Sequence, residues 1–126
     1  MMEKRVTTGL ILFAHGSRIE SANEGVRVIA AELGRAAAVE HVVPAFLELG
    51  HPDLAGAVAS LAKLGVGRIV IIPYFLTLGL HLERDLPQLV AGIRAAHPGT
   101  DIQVTPPLEG HPALLTVLLD RWRNAT

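Results

Sequence analysis

The chain has 126 residues, enough for one domain, and half of them are apolar while only 18% are charged. A formal net charge of −1 with no run of Lys or Arg argues against nucleic acid, whose phosphates need a concentrated basic face. Cysteine is absent, which excludes disulfides, thiolate metal sites and cysteine nucleophiles, and no apolar stretch is long enough to span a bilayer.

The start of the chain, Met1 to Thr8, lacks the apolar core of a signal peptide, so a cytoplasmic location and a single domain over 1–126 are expected. Gly9 to Ala14 is a continuous apolar run, as a strand buried on both faces should read. Ser21 or Asn23 can cap a helix carrying Val26, Ile29, Ala30 and Leu33 on one stripe and ending near Gly34. His41 to Leu47 is a second strand, and Pro44 within it argues for an edge position. His51-Pro52-Asp53 opens a second helix through Leu64, stopped at Gly65. Arg68 to Pro73 is the clearest strand. An irregular stretch from Tyr74 to Arg84 follows, then a third helix over Leu86–Ala96 with Pro87 in its first turn. Asp101 to Val104 reads as a weak fourth strand, and Ala113 to Arg123 as a last helix.

Strand–helix alternation through the whole chain implies βαβ units and a parallel sheet covered on both faces. Right-handed crossovers leave few topologies, and the simplest is a three-layer α/β fold with an open four-stranded sheet in the order 2-1-3-4. In that order the chain reverses direction between strands one and three, and ligands bind at the carboxyl ends there.

Three residues stand out at that edge. His15 follows the first strand in Ala14-His15-Gly16-Ser17-Arg18, Glu48 follows the second, and His81 lies beyond the third. Two imidazoles and a carboxylate converging on one crevice suit a borderline divalent metal, held loosely because no thiolate is present. Each has a plainer alternative. A histidine in a glycine loop more often makes a local hydrogen bond than ligates a metal, and Glu48 can equally cap the next helix or pair with Arg18 or Arg68. His51 and His111 read as helix-entry turns, and His41 and His97 as solvated residues. Ser17 lies in no Gly-x-Ser-x-Gly elbow, and Gly65-Val66-Gly67 precedes a strand, so it is a turn and no phosphate loop. Tyr74 and Phe75, with Leu76, Leu78, Leu80 and Leu82, can wall an apolar pocket for a flat macrocycle or pack on a neighbouring subunit.

The segments Leu12 to Arg18, Pro44 to Leu49, and Ile72 through His81 to Pro87 together resemble the CbiX/SirB family of sirohydrochlorin chelatases, in order and in spacing, over nearly the whole chain to Gly110-His111-Pro112. The resemblance implies a chelatase-like fold and a class II chelatase that needs no ATP and places a metal in sirohydrochlorin, toward cobalamin or sirohaem. It implies that the family's metal-binding histidine pair falls on His15 and His81 and the acidic residue on Glu48. It also implies pairing as a homodimer, since the chain is about the length of the short family members. The expected ligand is a sirohydrochlorin-type tetrapyrrole. No permanently bound cofactor is expected; Co2+ or Fe2+, with Ni2+ a third candidate, is a substrate. On this reading Arg18 and Arg84 hold the substrate's carboxylates, with Ser17 and the backbone near Gly16 assisting. A carrier of metal or tetrapyrrole that does not catalyse is the alternative, and a flavodoxin-like phosphate or nucleotide binder ranks behind both.

Overall fold

The computed structural model describes residues 6–125; the expectations for Met1 to Arg5 lie outside them. Strands β1 (Thr8–Ala14), β2 (His41–Phe46), β3 (Arg68–Pro73) and β4 (Asp101–Val104) form one sheet in the order β2-β1-β3-β4, as the alternation predicts. Every neighbouring pair is parallel, with Leu12 opposite both Pro44 and Ile72. The continuous apolar run of β1 suits its central place, with Ile11 and Phe13 fully buried and Leu12 5% exposed on the other face. β2 pairs with β1 alone, the edge position where a proline is tolerated.

One face of the sheet carries the main core. There α2 (Leu54–Lys63) and α3 (Gly79–Ala96) close over Ile11, Phe13, Ala45, Ile69 and Ile71. The other face is covered over β1 and β2 by α1 (Glu20–Ala37). This contact is close: a Cβ at Gly34 would lie 3.0 Å from Val42 Cγ2. Gly34 therefore serves helix–strand packing and does not end the helix, which runs on to Ala37 and stops at Ala38 in the left-handed region. The expected caps also differ. Ile19 takes the N-cap position with no side-chain bond, and Asn23 lies inside the helix, buried. At α2 the reading holds, because Asp53 Oδ1 accepts from the Gly56 N–H at 2.7 Å and Gly65 follows the helix at φ +82°.

α3 departs most from expectation. It begins at Gly79, well before Leu86, so part of the supposed irregular stretch is helical and Pro87 sits in the helix interior. Leu82, Leu86, Val90 and Ile93 form one buried stripe at spacings of four, four and three. Their burial contributes roughly 1.5–3 kcal/mol each, which outweighs the roughly 3 kcal/mol that an interior proline costs.

The last helix, α4 (Pro112–Arg123), is capped by His111, whose Nδ1 accepts from the Ala113 N–H at 3.0 Å. It buries no residue. Leu115, Leu118, Leu119 and Trp122 occupy one face at helical spacing, and Leu115 and Trp122 are 63% and 74% exposed. Among the described residues no helix is long and apolar enough to cross a membrane.

Candidate functional site

Three loops leave the carboxyl edge of the sheet beside one another, because β2, β1 and β3 are neighbours. The ladder between β1 and β2 continues past the strand ends: Leu47 N–H donates to Ala14 O at 2.9 Å and Glu48 N–H to His15 O at 3.0 Å. This extended pairing fixes His15 and Glu48 side by side. Gly16, at φ +91°, passes so near the Glu48 carbonyl that no side chain fits between them.

His15 Nδ1 lies 3.1 Å from the Gly16 carbonyl oxygen, which can only accept, so in this contact Nδ1 carries the proton. The neutral ring then keeps its lone pair on Nε2, and Nε2 is the atom that faces Glu48 Oε1, at 3.5 Å. Two ligand atoms bonded to one divalent ion at about 2.0–2.2 Å are separated by roughly 3.0–3.5 Å, so this nitrogen and oxygen can share one metal. Both side chains are more than half exposed, which leaves the pair open to an incoming ion and makes it a weak contributor to stability. Phe75 stands edge-on to His15, with ring centroids 6.4 Å apart, and edge-on to Phe13 at 5.7 Å. It anchors the loop after β3 on the core and borders the imidazole. Tyr74 beside it is partly exposed, and its backbone N–H donates to Phe13 O.

The other expected residues are placed as follows. His81 is exposed in the first turn of α3, not in an irregular loop. Among the described residues no three histidine, aspartate or glutamate side chains stand close enough to hold one metal, so His15 and Glu48 converge and His81 does not join them in this arrangement. Arg18 is exposed, and Arg84 Nε donates to Asp85 Oδ1 at 3.0 Å on the surface of α3. Ser17 Oγ accepts from the Ile19 N–H. Glu48 meets His15 instead of Arg18 or Arg68, and Arg68 is hydrogen-bonded to Gln103. Of the leucines assigned to a pocket wall, Leu82 is in the core and Leu78 packs against it, while Leu76 and Leu80 are exposed.

One residue at this edge escaped the sequence reading except as a capping candidate. The Asn23 carboxamide is buried, accepts from Ser17 N–H at 2.9 Å, and donates to the carbonyls of Ser17 and Leu49, each at 2.9 Å. Leu49 itself holds φ +57°, unusual for a residue with a side chain. A polar residue three positions before the apolar stripe of the helix gave no signal beyond its capping propensity.

The chain is 32% identical over 116 residues to the chloroplastic sirohydrochlorin ferrochelatase of Arabidopsis thaliana, an alignment that covers 92% of this chain and 52% of that protein. It is 28% identical over 132 residues to the sirohydrochlorin cobaltochelatase of Methanothermobacter thermautotrophicus, covering 93% and 92%. The chain thus spans about half the length of the first relative and nearly all of the second. Among solved structures, a CbiX protein from Marinobacter aquaeolei VT8 superposes with a TM-score of 0.79 at 28% identity, over 92% of this chain and 94% of that one. The sirohydrochlorin chelatase SirB of Bacillus subtilis subspecies spizizenii, in complex with cobalt, shares the fold at 19% identity, with a TM-score of 0.85 over 94% of this chain and 51% of SirB. The CbiX family model matches residues 9–125, so the chain belongs to the CbiX family.

Proposed function

We propose that the chain is an ATP-independent chelatase that inserts Co2+ or Fe2+ into sirohydrochlorin, as the names of its relatives suggest. The observation that carries this reading is the His15–Glu48 pair, an imidazole nitrogen and a carboxylate oxygen 3.5 Å apart at the carboxyl edge of the sheet, beside the topological switch point. An exposed two-ligand seat suits a metal that is substrate, because the ion must leave for the macrocycle. Free coordination positions let the pyrrole nitrogens bond before the protein ligands let go. Insertion releases two pyrrole protons, and in this reading His15 Nε2 and the Glu48 carboxylate take them up as the ion leaves and frees their lone pairs.

In the same reading His81, apart from the pair in this arrangement, is a second imidazole for the metal once the first turn of α3 swings toward His15. Tyr74 and Phe75 give an apolar wall to the ring. Arg18 and Arg84 pair with its peripheral carboxylates, and Ser17 assists with hydrogen bonds. Nickel is a third metal of the same ligand preference, and the setting is cytoplasmic.

A homodimer completes the proposal. The α4 stripe of Leu115, Leu118, Leu119 and Trp122 is unburied within one copy, and such a stripe on a helix is normally covered. A second copy seated on it brings two carboxyl-edge sites into one particle.

The deciding experiment is an anaerobic visible-absorbance assay of sirohydrochlorin with Co2+ or Fe2+, run beside His15→Ala, His81→Ala and Glu48→Gln. Metal-dependent spectral conversion that is lost in the His15 and His81 variants supports chelation. A shift on binding without metal entry faster than in buffer replaces the enzyme with a carrier.

A further inference from the structure

Among the described residues Asn23 is the one buried polar side chain, 2% exposed, and its three short bonds leave the helix that carries it. The carboxamide oxygen and one N–H engage the N–H and C=O of Ser17, so the side chain pairs with that residue as a neighbouring strand would. The second N–H goes to the Leu49 carbonyl, with Glu20 Oε2 as a longer contact at 3.5 Å. Ser17 lies two residues after His15 and Leu49 directly after Glu48. Among the described residues no other side-chain hydrogen bond ties the loop after β1 to the loop after β2. Leu49 holds its left-handed conformation where its carbonyl meets Asn23, so the same bond also steadies the backbone next to Glu48.

We propose that Asn23 is a positioning residue for metal: it touches no ion, but it sets the His15 Nε2 to Glu48 Oε1 separation and thereby the affinity of the pair. This rests on the reading that His15 and Glu48 hold the metal. Without the clamp the Leu49 turn is free to relax, and the carboxylate moves with it. Outer contacts that orient metal ligands typically change affinity by about 10–100-fold when removed.

The test is a double-mutant cycle on the full chain, with Co2+ alone as the probe and binding followed by calorimetry. Asn23→Ser and Glu48→Gln are measured singly and together, each with its melting temperature; Asn23→Asp, which keeps the size and the acceptor for Ser17 N–H but loses both donated bonds, stands in where the serine variant does not fold. Asn23→Ser is expected to weaken Co2+ about 10-fold in the parent chain and less than about 2-fold in the Glu48→Gln background, while lowering the melting temperature equally in both. An Asn23 variant that binds Co2+ as the parent does, or that loses the same factor in both backgrounds, overturns the proposal, because general loosening does not depend on Glu48. If Glu48→Gln alone leaves Co2+ binding intact, the metal-holding role of the pair fails, and the positioning role fails with it.

Discussion

A Cβ placed on Gly16 would lie 1.7 Å from the carbonyl oxygen of Glu48, so the loops after β1 and β2 meet backbone against backbone. Gly16 also sits at φ +91°, where any other residue is strained. Gly16→Ala must therefore displace the Glu48 peptide or rotate its own, and either costs about 2–4 kcal/mol. Urea unfolding measures that loss directly. An alanine variant with the parent's midpoint and Co2+ affinity contradicts the close approach.

Stability and metal binding should separate at Glu48. Its contact with His15 is more than half exposed on both sides, and exposed polar contacts of this kind contribute about 0–1 kcal/mol. Glu48→Gln is expected to leave thermal unfolding within about 0.5 kcal/mol of the parent while Co2+ affinity falls. A large drop in stability instead marks Glu48 as a structural residue.

On α4, Trp122 is the largest exposed apolar side chain. A charge at that position opposes any burial of the helix face. Trp122→Glu is expected to convert a dimer into monomer in sedimentation velocity and leave the monomer's circular dichroism unchanged. A parent chain that sediments as a monomer at micromolar concentration removes the dimer from the account.

Pro87 offers a gain rather than a loss. It stands exposed inside α3 and supplies no N–H to the carbonyl of Glu83, one turn earlier. Pro87→Ala restores that donor and should raise stability by about 1–3 kcal/mol, read from the denaturant midpoint. A variant no more stable than the parent means that the helix has already adapted around the ring.

The sheet could be read from the chain because its strands advertise themselves. Ile11 to Ala14 is an uninterrupted apolar run buried on both faces, and Ile69 to Ile72 is uninterrupted and β-branched, with Ile69 and Ile71 in the core and Val70 and Ile72 half-buried on the other face. The start of α3 was hidden by its own residues. Gly79 at φ +74° and Pro87 both argue locally against a helix, and the alternating leucines 76, 78, 80 and 82 suggest a wall; only the Leu82–Leu86–Val90–Ile93 spacing carried the true period. His15 and Glu48 were legible because strand ends are visible in sequence and the strand order made them neighbours. Asn23 was not, since its bonds reach Leu49, 26 residues away, and no local pattern encodes such a partner.

The prolonged ladder between β1 and β2 has a consequence for how this protein can vary. His15, Asn23 and Glu48 all belong to a single βαβ unit, and the main-chain bonds and the Asn23 side-chain bonds that hold its two loops together lie within that unit. Tyr74, Phe75, His81 and Arg84 lie on the segment after β3, anchored chiefly through Phe75 and the α3 stripe. On the proposed function, change at the exposed positions of that second segment other than His81 alters which macrocycle fits, while the His15–Glu48 part of the ion's seat stays as it is. The two recognitions, of ring and of ion, can therefore diverge independently among descendants of the same fold.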